Sequence, residues 1–278
     1  VGNQGQPLIL GINLTDHCNL HCQHCIFHSG QRHLSTEQSL CLVRDYYRKG
    51  ARILFLQGGE VFLWPAGRTA LENLIAQAKH EGYFQVAITT NGTYPIETGA
   101  DLVWVSLDGT KKNHNRIRGD TYDQIIQNLR TSSHRKITLN MTINGLNYKD
   151  IEAVATVASS MTSINGVSYN FHTPFFGTED LMLSLEDKRK CVDRIIHLKR
   201  QGYPVINSYA ALRAQKTNNY TRPVSLIVLI EQGRAYPCCF GRVDPEVCKK
   251  CGYGIIAELS LLARGNINVI REALKLFS

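Results

Sequence analysis

The sequence predicts an α/β fold: a partial (β/α)6 TIM-like barrel over residues 1–202, followed by a small Cys-rich lobe over residues 203–278. Three observations predict it. Six short apolar runs, rich in β-branched residues, lie in the first two hundred positions, as expected of buried parallel strands. Helical stretches separate them, which makes βαβ units and a parallel sheet. Six units are too few for a closed eight-strand barrel, so the barrel is expected to be open on one side, with its chemistry at the carboxyl ends of the strands.

The strands are expected over residues 8–14, 52–57, 84–90, 102–107, 137–143 and 166–171. The first helix is expected over residues 36–49. Ser35 and Gln38 form a capping box, Leu40, Val43 and Tyr47 share one face, and Gly50 stops it. Further helices are expected over 68–81, 122–131, 148–161 and 185–201, the last with Ser184 as N-cap and Gly202 as terminator. Past Tyr203 the chain changes character: loops with Asn, Tyr and Pro, one apolar strand over 226–230, a Cys-rich stretch and a closing helix over 266–277. This lobe is expected to cover the open side. Cys41 and Cys191 fall on helix faces and read as core residues.

With 278 residues and 43% hydrophobic content, the chain can bury a sizeable core. No apolar run is long enough to span a membrane. The formal net charge is +8. Its basic residues are scattered, without a Lys/Arg run interleaved with aromatics, so nucleic acid is not the expected partner. Nine cysteines without a secretory signal imply a reducing, cytoplasmic interior and metal use.

Cys18, Cys22 and Cys25 form a C-x3-C-x2-C pattern directly after the first strand. Three thiolates on one loop can hold three irons of a cubane cluster and leave the fourth open to an outside ligand. Zinc is the competing reading, with His17, His21, His24 or His28 as a fourth ligand. The next strands end in small polar groups: Gly58-Gly59-Glu60, then Thr89-Thr90-Asn91-Gly92-Thr93, then Ser106-Leu107-Asp108-Gly109. The glycine pair lets backbone approach closely, and Glu60 supplies a carboxylate.

All four motifs, in this order and at successive strands, resemble the radical S-adenosylmethionine (radical SAM) superfamily over residues 8–172. The resemblance implies a [4Fe–4S] cluster on Cys18, Cys22 and Cys25, with SAM chelating the open iron. Reductive cleavage of SAM then yields a 5′-deoxyadenosyl radical. Gly58, Gly59 and Glu60 resemble the segment near the SAM amino group. His24 stands beside the adenine position. Ser106 and Asp108, with Asn91, resemble groups near the ribose or methionine carboxylate. Arg118 is a candidate to fork onto that carboxylate. Asn140 or Asn144 is a further candidate near the nucleoside. Val61 stands where the family often has proline. A small flavodoxin or ferredoxin is the implied electron donor.

Cys238, Cys239, Cys248 and Cys251 form a second group, a candidate auxiliary site for another iron–sulfur cluster or zinc. It resembles a shortened SPASM or twitch extension, and also the C-terminus of hopanoid-type adenosyltransferases. Neighbouring side chains diverge, so either Cys238 or Cys239 is expected to be a spectator. His172 and Thr173, after the sixth strand, are candidate substrate contacts. The resemblance implies a radical SAM enzyme acting on a peptide or a lipid/isoprenoid precursor. The alternative is a non-catalytic iron–sulfur or zinc redox sensor that binds nucleic acid.

Overall fold

A computed structural model describes residues 6–25, 30–175 and 177–277. His28, one of the four candidate zinc ligands, lies outside the described residues. Six parallel strands form as expected: β1 (Ile9–Asn13), β2 (Ile53–Gln57), β3 (Gln85–Thr90), β4 (Leu102–Ser106), β5 (Ile137–Ile143) and β6 (Ile164–Phe171). They lie in the order β6-β5-β4-β3-β2-β1. Two more strands continue the sheet. β7 (Ile227–Glu231) pairs parallel with the outer edge of β1, and β8 (Arg234–Pro237) returns antiparallel on β7.

Helices α1 (Thr36–Arg48), α2 (Arg68–Glu81), α3 (Lys111–Arg118), α4 (Tyr122–Thr131), α5 (Ile151–Ser159) and α6 (Leu185–Arg200) connect the strands. The Ser35/Gln38 capping box forms at the start of α1, and the Ser184 side chain caps α6. α5 is shorter than expected, because residues 144–150 first make a turn closed by Asn144 and Asn147 side chains. α3 has no sequence expectation behind it. Its residues are mostly charged or polar, so it lacks the apolar stripe that reveals a helix.

Alternate strand residues divide the interior into two parts. Leu10, Ile12, Leu54, Leu56, Val86, Ile88, Val103 and Val105 face outward and pack, fully buried, under the helices. Residues of the opposite parity face a lumen of about 320 Å³, whose lining includes Gly11, Phe55, Gln57, Thr89, Trp104, Asn140 and Asn170.

After α7 (Tyr209–Thr217), the C-terminal residues meet both free edges of the barrel. On the β7 side, β8 leads into Cys238, whose N–H donates to the carbonyl of Ile227. On the β6 side, the N–H of Phe171 donates to Gly252 at 2.9 Å, so close that a Cβ on Gly252 would collide with the Phe171 carbonyl. Between these edges lie α8 (Pro245–Lys249) and α9 (Gly254–Leu262), with Ile256 and Leu259 packed on Ile9, Ile53 and Ile227. α10 (Ile267–Phe277) closes the chain. No helix among the described residues is long and apolar enough to cross a membrane.

One core assignment needs correction. Cys191 is buried, but Cys41 is exposed. The buried face of α1 runs through Ser39 and Val43, and Cys41, midway between them, points to the opposite side.

Candidate active site

The loop carrying Cys18, Cys22 and Cys25 leaves the carboxyl end of β1. Its base is fastened to the end of β2. The N–H of Gly59 donates to Thr15 at 2.7 Å, and that of Glu60 donates to His17 at 2.8 Å. A Cβ on Gly58 or Gly59 would run into the carbonyl oxygens of Thr15, Asp16 or His17. The glycine pair therefore lets two backbones touch at the root of the cysteine loop.

Glu60 is completely buried, and its carboxylate ties β2 to β3. It accepts from the Asn91 N–H at 2.7 Å, the Thr90 hydroxyl at 2.8 Å and the Phe62 N–H at 3.1 Å. Asn91 extends this tie to the cysteines. Its Nδ2 donates to Asn19 Oδ1 at 2.9 Å and reaches Cys18 Sγ at 3.8 Å. The backbone N–H of Leu20 lies 3.4 Å from the same sulfur.

A second network rises from β4. Asp108, fully buried, accepts from Arg118 Nε at 2.6 Å and from the Thr142 N–H at 2.8 Å. Arg118 lies in the last turn of α3 and is only 8% exposed. Its Nη1 reaches Cys22 Sγ at 3.9 Å and its Nη2 lies 3.5 Å from His24 Nε2. The guanidinium thus faces Asp108, Cys22 and His24 together. Burial pushes the Asp108 carboxyl up, but Arg118 and His24 outweigh it and hold it below the usual range. Burial likewise raises the thiols of Cys18 and Cys22, with Arg118 opposing it at Cys22. Burial lowers His24 to about 4 against the pull of Asp108, so its imidazole is neutral. Its Nδ1 is buried with no hydrogen-bond partner. His114 was not anticipated. It sits beneath Asp108 and accepts that residue's backbone N–H on Nδ1 at 3.1 Å, which fixes a neutral tautomer.

The other expected residues separate. Ser106 is buried at the end of β4, in register with Asn140. Asn140 lines the lumen and accepts from Asn170 Nδ2 at 2.6 Å, whereas Asn144 closes its own turn by accepting from the Leu146 N–H. His172 bonds Thr178 through Nε2 at 3.0 Å, and Thr173 accepts from the Gly252 N–H at 3.0 Å. Both also line a cavity of about 160 Å³ shared with His24, Cys25 and Tyr253.

Cys238, Cys239, Cys248 and Cys251 line one small cavity. Cys238 has φ 71°, a left-handed turn that breaks the alternation of an extended chain, and Cys238 and Cys239 both border this cavity. Tyr253 borders this cavity, the cavity beside Cys25 and the lumen. Among the described residues, no group of three or more His, Cys, Asp or Glu side chains is arranged to hold a single metal ion.

Sequence reasoning missed Gln57, Trp104, Asn170 and Tyr253, which line the lumen. For Gln57 the signal was the alternation itself, since it lies two positions from Phe55, another lumen residue.

Known proteins agree with this architecture. The radical SAM superfamily profile matches residues 12–158, more than half of the chain. Fe-coproporphyrin III synthase of Methanosarcina barkeri is 31% identical, over 69% of this chain and 52% of that protein. The chain thus spans about half the length of this relative. SuiB of Streptococcus suis bound to the precursor peptide SuiA superposes with a TM-score of 0.68 at 15% identity, covering 86% of this chain and 61% of SuiB. The enzyme anSMEcpe with bound AdoMet and Cp18Cys peptide superposes with a TM-score of 0.63 at 20% identity, covering 98% of this chain and 84% of that one. These two likenesses speak for the fold. With the profile match across the cysteine loop and the strand-end motifs, they lead to one conclusion: the chain belongs to the radical SAM superfamily.

Proposed function

We propose that Cys18, Cys22 and Cys25 hold a [4Fe–4S] cluster with one iron open, and that SAM binds between it and the strand ends at Gly58, Gly59, Glu60, His24, Asn91, Ser106 and Asp108. Membership of a family of enzymes that work with SAM and a [4Fe–4S] cluster sets aside the non-catalytic sensor. The observation that carries the reading is the pair of side-chain N–H donors aimed at two of the three sulfurs. Asn91 reaches Cys18 and Arg118 reaches Cys22. Donors of this kind favour thiolate and tune the potential of a bound cluster. The neutral His24 with its unpartnered Nδ1 fits a nucleotide edge beside Cys25.

Bound there, the cluster and SAM would supply a 5′-deoxyadenosyl radical, the reagent of this family. The chain's own residues do the rest. Glu60 and Asn91 hold the loop to β2 and β3. Arg118, whose donors face Asp108, Cys22 and His24, places positive charge beside the thiolates. The lumen, about 320 Å³, receives the group to be modified.

A peptide is the substrate class we favour. The lumen volume suits one amino-acid side chain rather than a long lipid, and its upper wall is polar, with Gln57, Asn140, Thr142 and Asn170. The structural neighbours SuiB and anSMEcpe are seen with peptides. Cys238, Cys239, Cys248 and Cys251 form an auxiliary cluster site beside the same lumen, which Cys238 and Cys239 also line. The electron comes from a small donor protein such as flavodoxin or ferredoxin.

The test is anaerobic reconstitution with iron, sulfide, dithionite and SAM. 5′-Deoxyadenosine should form, and a Cys18→Ala variant should form none above background. Equal amounts from both proteins would contradict the assignment of the cluster.

A further inference from the structure

Lys188 is a cation near the start of α6 that belongs to neither cysteine group. It lines a cavity of about 160 Å³ between the end of β6 and the C-terminal lobe, together with Phe171, His172, Met182, Leu185 and Lys250. Its ammonium lies over the Phe171 ring, 5.0 Å from the centre, so the charged end stands at the cavity wall and not only the stem. Other lysines on α6 and α7 are neutralised: Lys190 pairs with Glu186, and Lys216 with Asp193. The Lys188 ammonium has no ion pair or hydrogen bond among the described residues, and it is not sealed from solvent. Lys250, at the end of α8, adds a second cation, whereas Lys249 beside it is taken by Glu246 at 2.7 Å. Among the described residues, none of those lining the cavity is acidic.

Shared walls join this cavity to the lumen. The lumen and the cavity beside Cys25 have Thr142, Asn170 and Tyr253 in common. The cavity beside Cys25 and the lysine cavity have Phe171 and His172 in common. At the outer end, Met182 and Leu185 are 37% and 51% exposed. An ammonium in a half-enclosed cavity has lost part of its hydration, and no counter-ion here makes up for it. A carboxylate would, because its oxygens accept short, charge-assisted bonds from an ammonium. Met182 and Leu185 beside the lysines suit the aliphatic stem that carries such a group.

We propose that this cavity is a positioning subsite for a carboxylate of the substrate, held by Lys188 with Lys250 beside it, while the residue to be modified occupies the lumen. This rests on the reading of the lumen as the substrate chamber. It narrows the peptide to one with an acidic side chain, or its own C-terminal carboxylate, close to the modified residue.

Calorimetric titration of the anaerobic holoprotein with two matched pairs of probes tests it. Nα-acetyl-glutamate methylamide against Nα-acetyl-glutamine methylamide reads a side-chain carboxylate. Nα-acetyl-leucine against Nα-acetyl-leucine methylamide reads a terminal one. In at least one pair the acid should bind about 10-fold tighter than its neutral counterpart, and the pair that shows it identifies the source. Lys188→Met should erase that preference with the neutral probes unchanged, and Lys250→Gln should reduce it. If the Met variant does not fold, by circular dichroism, Lys188→Gln takes its place with the same expected loss. Equal affinities within both pairs, no binding of any probe, or a preference that survives removal of the Lys188 charge would overturn the proposal. Formation of 5′-deoxyadenosine is measured on the same samples. Its presence without an acid preference defeats only this inference, whereas a preference without it keeps the subsite and defeats the enzymatic reading.

Discussion

Asp108→Ala should lower the stability of the protein by about 3–5 kcal/mol, because it leaves the Arg118 guanidinium buried and unpaired. Asp108 is fully buried and holds Arg118 Nε at 2.6 Å. It also accepts the Thr142 N–H, which ties β4 to β5. Urea denaturation measures the loss as a shift in midpoint. Adding Arg118→Met to Asp108→Ala should recover most of it, since removing both charges leaves no orphan. A double variant no better than the single one would contradict this account of the pair. The pH dependence has a definite sign. The folded-state carboxyl lies below its ordinary value of 3.8, so its contribution is complete above that value and is lost as pH falls through the lower, folded one. Acid should therefore destabilise the native protein more than the double variant.

Replacing Cys248 and Cys251 with alanine should lower the iron content of the reconstituted protein from about eight to about four per chain, the contents of two and one [4Fe–4S] clusters. The four C-terminal thiols line one cavity, and the left-handed turn at Cys238 keeps its neighbour from pointing away. Loss of half the iron, with 5′-deoxyadenosine formation retained, would separate the auxiliary site from the SAM site. Unchanged iron would remove the auxiliary site from the account. Colorimetric iron determination alongside protein quantitation is sufficient.

The strands were legible because buried parallel strands read as apolar runs, and α2 because its apolar stripe ends at Gly82. The motif residues at the ends of β1 to β4 were legible for the same reason, since each follows a recognisable strand. What local pattern does not carry was missed. α3 is a polar helix held by Asp108 and His114, so its position, and hence the burial of Arg118, depends on tertiary contacts. β7 reads as an apolar strand, but its pairing beside β1 is a long-range choice that periodicity cannot supply. The cavity shared by Cys238 and Cys239 depends on one φ angle, at a residue type that seldom adopts it.

The central claim is that one iron on the Cys18–Cys22–Cys25 loop is left for the methionine end of SAM. Electron–nuclear double resonance on the reduced, reconstituted protein tests it most directly, with SAM labelled by 15N at the amino group and by 17O at the carboxylate. The account predicts hyperfine coupling of both nuclei to the cluster in the wild type and in the Cys248→Ala/Cys251→Ala variant. A reduced cluster that forms with full iron but shows coupling to neither label would contradict it.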